Sequence, residues 1–122
     1  MSKNNKKETK QFKTINADLS MLFLVDYMAF QEMQKLQGAV SDKLFNVLLK
    51  ALPGFEAEMQ FAIAFCLEDF VKNKVLHKTN CLAADTILMT CYFFIAKERG
   101  MDISEVVNNW FSMVDPNDYP VL

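Results

Sequence analysis

The sequence predicts an all-α, single-domain protein, built as a bundle or orthogonal array of about five helices. The chain has 122 residues, of which 52% are hydrophobic and 23% are charged, a size and composition typical of one compact domain. Only three glycines and three prolines are present, so few residues interrupt long helices. Val, Ile and Thr are not concentrated in the alternating runs that strands require.

The chain is predicted to begin with a mobile basic tail, residues 1–14. Residues 1–13 contain five Lys and one Glu, so their net charge is +4, which leaves −6 for residues 14–122. This segment is poor in apolar residues and cannot recover its ordering entropy by burial. We expect a helical domain over residues 15–114, followed by a C-terminal tail over residues 115–122.

Five helices are predicted in this domain from capping residues at their starts and helix breakers at their ends. Their predicted ranges are about 17–37, 42–52, 55–76, 81–99 and 103–114. The expected N-terminal caps are Thr14 or Asn16, Ser41, Thr79 or Asn80, and Asp102. The expected breakers are Gly38, Pro53 with Gly54, and Gly100. The third helix has acidic residues in its first turn and lysines towards its end, the charge order that a helix dipole favours.

Three stretches are apolar on nearly every side of a helix, residues 21–30, 61–67 and 82–96. Such a helix is either completely buried or keeps one face for another chain. A chain of this size can bury about one helix completely, so the pattern indicates association through apolar surface.

The candidate partner-binding residues are large, apolar and adaptable. They are Met21, Met28, Met59, Phe61, Phe65 and Trp110. Methionine is flexible and is common on surfaces that accommodate a partner helix, although it also fills irregular cores. We expect one apolar ridge of each helix to face the core and another to meet a partner.

Two acidic residues, Asp26 and Asp85, are predicted to be buried because apolar residues surround them. A buried carboxylate needs a cationic or hydroxyl partner, for which Thr86, Thr90, Tyr27, Tyr92 and the few lysines are the candidates. Together with Glu68 and Asp69 they offer the ligands of a small metal-dependent or carboxylate enzyme. No E-x-x-H or repeated E-x-x-E spacing supports that alternative.

A zinc site formed by Cys66, His77, Cys81 and Cys91 is not expected. Their separations are eleven, four and ten residues, whereas structural zinc sites use ligand pairs two to four residues apart. Cys66 and Cys91 are instead predicted to be small buried hydrophobic residues. We therefore predict no metal, no cofactor and no catalytic residue.

Residues 95–114 offer a second function, because they have the spacing of a helix-turn-helix corner. Ala96 is followed four residues later by Gly100 and six residues after that by Val106, which lets two helices pack closely. The helix that would read DNA contains Glu105 and no Lys or Arg. Since phosphate contacts provide most nonspecific affinity, a DNA-associated regulator is the less favoured alternative.

The sequence therefore favours a non-enzymatic protein–protein interaction module, such as an adaptor, chaperone or inhibitor. We expect a homodimer, or else a monomer that holds an apolar groove for a helix or extended segment of another protein. We expect its acidic rim to steer a basic partner surface. Three cysteines without a C-x-x-C pair, and no apolar signal segment, indicate the cytoplasm. The longest nearly apolar run, residues 81–96, is too short to cross a membrane. The Lys, Asn and Phe bias suggests a bacterial or phage source.

Overall fold

The structure, a computed structural model, describes residues 25–119. This part of the chain is all-α, as the sequence predicted, and forms five α-helices and two short 3₁₀ turns. The α-helices are α1 (Tyr27–Gln34), α2 (Asp42–Ala51), α3 (Ala57–Asn73), α4 (Leu82–Glu98) and α5 (Ile103–Met113). The 3₁₀ turns are Leu52–Gly54 and Pro116–Asp118. The one β contact within residues 25–119 is an isolated bridge between Gln37 and Val40.

Asp26 precedes α1 as its N-cap, so the predicted helix over residues 17–37 is not continuous, and the expected burial of Asp26 is wrong. The Asp26 carboxylate accepts hydrogen bonds from the backbone N–H groups of Met28 (2.9 Å) and Ala29 (3.4 Å) and is exposed to solvent. It caps the helix start, where a carboxylate satisfies otherwise unpaired N–H groups. The predicted start near residue 17 and Met21 lie outside the described residues.

Helices α2, α4 and α5 match the predicted ranges to within a residue or two. Ser41 caps α2 through its side-chain oxygen, and Asp102 caps α5 by accepting from Ser104 and Glu105. Gly100, with φ +68°, supplies the left-handed residue between α4 and α5. Helix α4 begins at Leu82, but its N-cap Cys81 makes no side-chain cap bond, so neither expected cap residue occupies that position.

Helix α3 is shorter than predicted. It begins at Ala57 and ends at Asn73, because Lys74 adopts the left-handed conformation with φ +58°. Residues 74–81 then cross to α4 without regular structure. This crossing segment includes His77 and Thr79.

Helix α3 lies at the centre of the packing. Helix α1 runs parallel to it, since Asp26 contacts Gln60 near the start of α3 and Lys35 approaches Glu68 (3.8 Å) further along. Helix α4 packs on α3, and α5 packs on α4. A tilted stack of aromatic rings links these three helices: Phe70 to Tyr92 with centroids 4.7 Å apart, and Tyr92 to Trp110 with centroids 5.7 Å apart.

Candidate functional site

A groove with a volume of about 610 Å³ lies between α2 and α4. Helix α2 lines it with Leu44, Val47 and Ala51. Helix α4 lines it with Thr86, Ile87, Thr90, Cys91 and Phe94. We call this surface the α2–α4 groove. Its volume lies within the range of ordinary ligand pockets, and its lining is mainly apolar.

Two large apolar side chains of this groove remain open to solvent. Val47 and Phe94 are each 53% exposed, whereas Leu44 and Cys91 at its base are buried. Exposed apolar residues that stand singly need no explanation, but a concave cluster of them marks an interaction site. The groove therefore has the chemistry of a surface that binds an apolar partner.

The threonine hydroxyls and the Glu98 carboxylate of the groove are engaged within the protein. The hydroxyl groups of Thr86 and Thr90 donate to backbone carbonyls one turn earlier in α4, at 2.8 and 2.9 Å. The Glu98 carboxylate accepts from the Ser41 N–H at 3.3 Å. Since these groups have partners, the groove offers apolar contact rather than a set of free hydrogen-bonding groups.

One end of the groove is closed and positively charged. The Ser41–Glu98 bond and a bond from Arg99 to the Ala39 carbonyl (2.8 Å) hold the start of α2 against the end of α4. Lys43 and Lys97 flank this end, and neither forms an ion pair with any of residues 25–119. These two ammonium groups would favour an acidic group of a partner at this end of the groove, and the acidic rim expected from the net charge of the chain stays a prediction.

Cys91 does not supply a nucleophile to the groove. Burial raises the pKa of its thiol to about 12, and burial likewise raises the pKa of the Cys66 thiol to about 11. The thiolate is the reactive form of cysteine, so both thiols are predominantly protonated and inert near neutral pH. Both side chains are buried, as the sequence predicted.

Asp85 is buried as predicted, with 2% exposure. Its carboxylate accepts from the Thr79 N–H (2.6 Å), the Thr79 hydroxyl (2.7 Å) and the Tyr119 hydroxyl (2.6 Å). Hydroxyl partners were expected, but they come from the loop before α4 and from the C-terminal turn rather than from Thr86, Thr90, Tyr27 or Tyr92. Sequence spacing could not identify Tyr119, which lies 34 residues away from Asp85 along the chain.

The other acidic residues do not join Asp85. Asp69 contacts the His77 ring (2.5 Å) and accepts from the Asn73 side chain (2.7 Å), while Glu68 pairs with Lys72 (2.8 Å). These bonds lower the pKa of Asp69, with Asn73 the larger cause and His77 the second. Within residues 25–119 no three His, Cys, Asp or Glu side chains are grouped to hold a metal ion.

The fold exposes some of the predicted partner-binding residues and buries others. Met28 is 62% exposed and Phe65 is 48% exposed, so both can reach a partner. Met59 and Phe61 are partly buried and pack against the core. Trp110 is a correction, because it is only 3% exposed and its ring packs on Tyr92 inside the core.

The sequence analysis missed the groove residues Val47 and Phe94. Val47 was grouped with the core side of α2, although the core takes Leu44, Phe45, Leu48 and Leu49 and leaves Val47 on the flank. The signal that could have found Phe94 was the apolar character of α4 on every side. Leu82 and Phe94 of that helix are exposed, so α4 is not completely buried.

The helix-turn-helix alternative has its corner at Gly100, between α4 and α5. Helix α5 exposes Ser104, Glu105, Asn108 and Phe111, and no residue of α5 is Lys or Arg. Such a face offers no cation to a phosphate backbone.

Comparisons with known proteins found no relative of this chain. No family model matches it, and no curated protein or solved structure matches it significantly. The described helices include none that is long and apolar enough to cross a membrane. The fold and the groove define an all-α protein with an apolar cleft that has Lys43 and Lys97 at one end.

Proposed function

We propose that this protein is a non-enzymatic protein–protein interaction module, an adaptor, chaperone or inhibitor that works by occupying a partner in the cytoplasm. The observation that carries the proposal is the α2–α4 groove, in which Val47 and Phe94 are each about half exposed. Two roughly aligned helices with an apolar cleft between them suit the helix-in-groove mode of recognition, in which a partner helix inserts its apolar face.

The partner would gain affinity mainly by removing apolar side chains from water. Phe94 is the natural anchor, because aromatic side chains at the centre of an interface contribute most to binding energy. Lys43 and Lys97 at the closed end would favour an acidic residue of the partner and would fix its direction. No group in this scheme forms or breaks a covalent bond.

Self-association is the second part of the proposal, and it uses a different surface. Phe65 projects from α3 with 48% exposure and lies beside the His77 ring, with centroids 6.1 Å apart. We assign a homodimer contact to Phe65 and the capture of another protein to the groove. The two assignments can be tested separately because the residues lie on different helices.

Site-specific photocrosslinking in the source cell tests the groove. A benzoylphenylalanine residue replaces Phe94 in one variant and Phe111, an equally aromatic and exposed residue of α5, in the other. We expect irradiation to give a discrete adduct from position 94 that is absent from position 111. Adding Val47→Asp to the first variant should abolish the adduct, because it places a charge among the apolar contacts.

Two results would contradict the proposal. Adducts of the same masses from both positions would show nonspecific contact, and no adduct from position 94 would remove the groove as a binding site.

A further inference from the structure

We propose that the α2–α4 groove binds a free medium-chain fatty acid, with its carboxylate beside Lys43 and Lys97 and its alkyl chain along Val47 and Phe94. This ligand goes beyond the function proposed above, because it is a small molecule rather than a protein. Since it would fill the space that a partner helix needs, its binding would release the partner.

The groove has one charged end, and the rest of its lining is mainly apolar. The Ser41 N–H donates to the Glu98 carboxylate at 3.3 Å, so the start of α2 lies beside the end of α4. Lys43, in the first turn of α2, and Lys97, in the last turn of α4, therefore line the same end. Beyond them the lining is apolar apart from two threonines. A ligand with one anionic group and one apolar chain matches this layout.

The charge of this end favours an anion. Three charged residues line the groove, Lys43, Lys97 and Glu98, and their net charge is +1. The Glu98 carboxylate already accepts the Ser41 N–H, whereas neither lysine forms an ion pair with any of residues 25–119. Both lysines are exposed, so each ion pair contributes at most about fivefold to affinity. The charged end therefore selects a carboxylate over a cation, and the alkyl chain provides most of the affinity.

The apolar part of the groove suits an alkyl chain better than an extended peptide. The Thr86 hydroxyl donates to the Leu82 carbonyl at 2.8 Å, and the Thr90 hydroxyl donates to the Thr86 carbonyl at 2.9 Å. Neither proton is left for the carbonyl groups of an extended peptide, which lose free energy when they leave water without a donor. An alkyl chain carries no polar group and needs no such partner.

The size of the groove fits one alkyl chain. Its volume of about 610 Å³ lies in the range of pockets that bind small ligands. Ala51 lies eight positions after Lys43, a distance of about 12 Å along the axis of α2. Each carbon of an extended alkyl chain advances about 1.25 Å, so about ten carbons cover this distance. The expected ligand is therefore decanoate or a close neighbour in chain length.

Isothermal titration calorimetry of the purified full chain with decanoate tests the ligand. We expect saturable binding with one site per chain. Each methylene that is half to fully buried should tighten binding about two- to fourfold, so decanoate should bind about 4- to 16-fold more tightly than octanoate. Decyltrimethylammonium has the same alkyl chain with a positive charge and should bind at least about tenfold more weakly than decanoate.

Two lysine variants test the charged end. Lys43→Gln combined with Lys97→Gln should weaken decanoate binding about tenfold, because it removes both cations that face the carboxylate. Lys50→Gln combined with Lys74→Gln removes the same charge from residues that do not line the groove, and it should leave the affinity unchanged. All four lysines are exposed, so neither variant disturbs the core.

Two valine variants test the path of the alkyl chain. Val47→Asp should abolish decanoate binding, because it places a charge where the chain lies. Val75→Asp makes the same change in the crossing segment, where Val75 is 42% exposed, and should have no effect. Circular dichroism shows whether each variant is folded.

Several results would overturn the inference. Absence of saturable decanoate binding to the wild-type chain would remove the ligand, and this arm needs no variant. Equal binding of decanoate and decyltrimethylammonium would show apolar contact without selection of a carboxylate. Unchanged binding by folded Val47→Asp would place the ligand elsewhere, and binding that weakens steeply as the protein concentration rises would assign the groove to a second copy of the chain.

The failure of this inference is distinguishable from the failure of the proposed function. Calorimetry uses purified protein and no partner, whereas the adduct at position 94 is formed in the cell. An adduct at position 94 without decanoate binding would make a partner helix the occupant of the groove and would remove the fatty acid.

Discussion

At the scale of single residues, Asp85 joins three separate parts of the chain. It lies on α4, Thr79 precedes that helix, and Tyr119 ends the described C-terminal turn. Three donors converge on a carboxylate that has lost nearly all contact with water, so its desolvation is compensated by hydrogen bonds. The turn is also held by an ion pair from Lys78 to Asp118 at 2.9 Å.

The Tyr119→Phe variant tests the contribution of this contact to stability. Burial and the bond to Asp85 raise the pKa of Tyr119 to about 12, so its hydroxyl remains a donor throughout the neutral range. Removing it takes one of three donors from a buried carboxylate and should lower the free energy of unfolding by about 1–2 kcal/mol. Urea unfolding followed by Trp110 fluorescence gives the value. The matched change at exposed Tyr27, Tyr27→Phe, should be nearly neutral, and equal losses from both variants would contradict the role of Asp85.

The lowered pKa of Asp69 predicts how the stability of the fold depends on pH. Its pKa is held below the ordinary value of 3.8, chiefly by the Asn73 side chain and then by His77. A lowered folded-state pKa stabilises the fold above the unfolded-state value, and this contribution is lost as the pH falls through the folded-state value. We expect Asn73→Ala to raise the pKa of Asp69 towards 3.8, as measured by NMR titration of its carboxyl group.

The same variant should lose stability relative to wild type at pH 5, and the difference should shrink as the pH falls below about 4. Asn108→Ala on the exposed face of α5 is the control, and it should show no such pH dependence. A difference that grows on acidification would reverse the assigned sign.

At the scale of helices, local signals predicted the starts of α2 and α5 but not the end of α3. Ser41 and Asp102 cap α2 and α5 as expected, since an N-cap bond depends only on residues two or three positions away. The end of α3 was placed too late, because Leu76 and the lysines around it continue a helical pattern that Lys74 interrupts. The residue at position 74 is a lysine, which does not signal a left-handed conformation. The contacts that His77 makes with Tyr92 and Asp69 after the helix end are not local, so the sequence does not reveal them.

The left-handed Lys74 gives a stability prediction. A residue with a Cβ atom is strained at φ +58°, whereas glycine adopts this conformation freely. Lys74→Gly should therefore raise the free energy of unfolding by up to about 1 kcal/mol, although glycine also loses more entropy on folding. In the interior of α5, Asn108→Gly should lower it by several tenths of a kcal/mol. Thermal unfolding of both variants shows whether the signs are opposite, and destabilisation by Lys74→Gly would contradict the assigned conformation.

At the scale of the whole molecule, the sequence showed that α4 is apolar on nearly every side. It did not show which side of α4 faces solvent. An all-round apolar helix predicts complete burial or a reserved face, and the choice depends on which neighbours cover it. Helices α3 and α5 cover one side, whereas α2 stands far enough away to leave the groove at Phe94. Trp110 shows the converse: the sequence offered it as a surface anchor, but the packing of Tyr92 between Phe70 and Trp110 places it in the core.

The predicted homodimer is assigned in our proposal to Phe65, a half-exposed aromatic residue of α3. We therefore expect a dimeric mass by size-exclusion chromatography with light scattering over a hundredfold range of concentration. Phe65→Asp should weaken the dimer by about 30-fold or more, since it removes an aromatic anchor and buries a charge. Phe94→Asp should leave the dimer intact.

The two variants also separate an interface residue from a core residue. Both side chains are about half exposed, so each substitution should leave the helical circular dichroism spectrum unchanged. Unfolding of Phe65→Asp would place Phe65 in the core and remove it from the interface. Dissociation caused by Phe94→Asp alone would make the groove, rather than Phe65, the dimer contact.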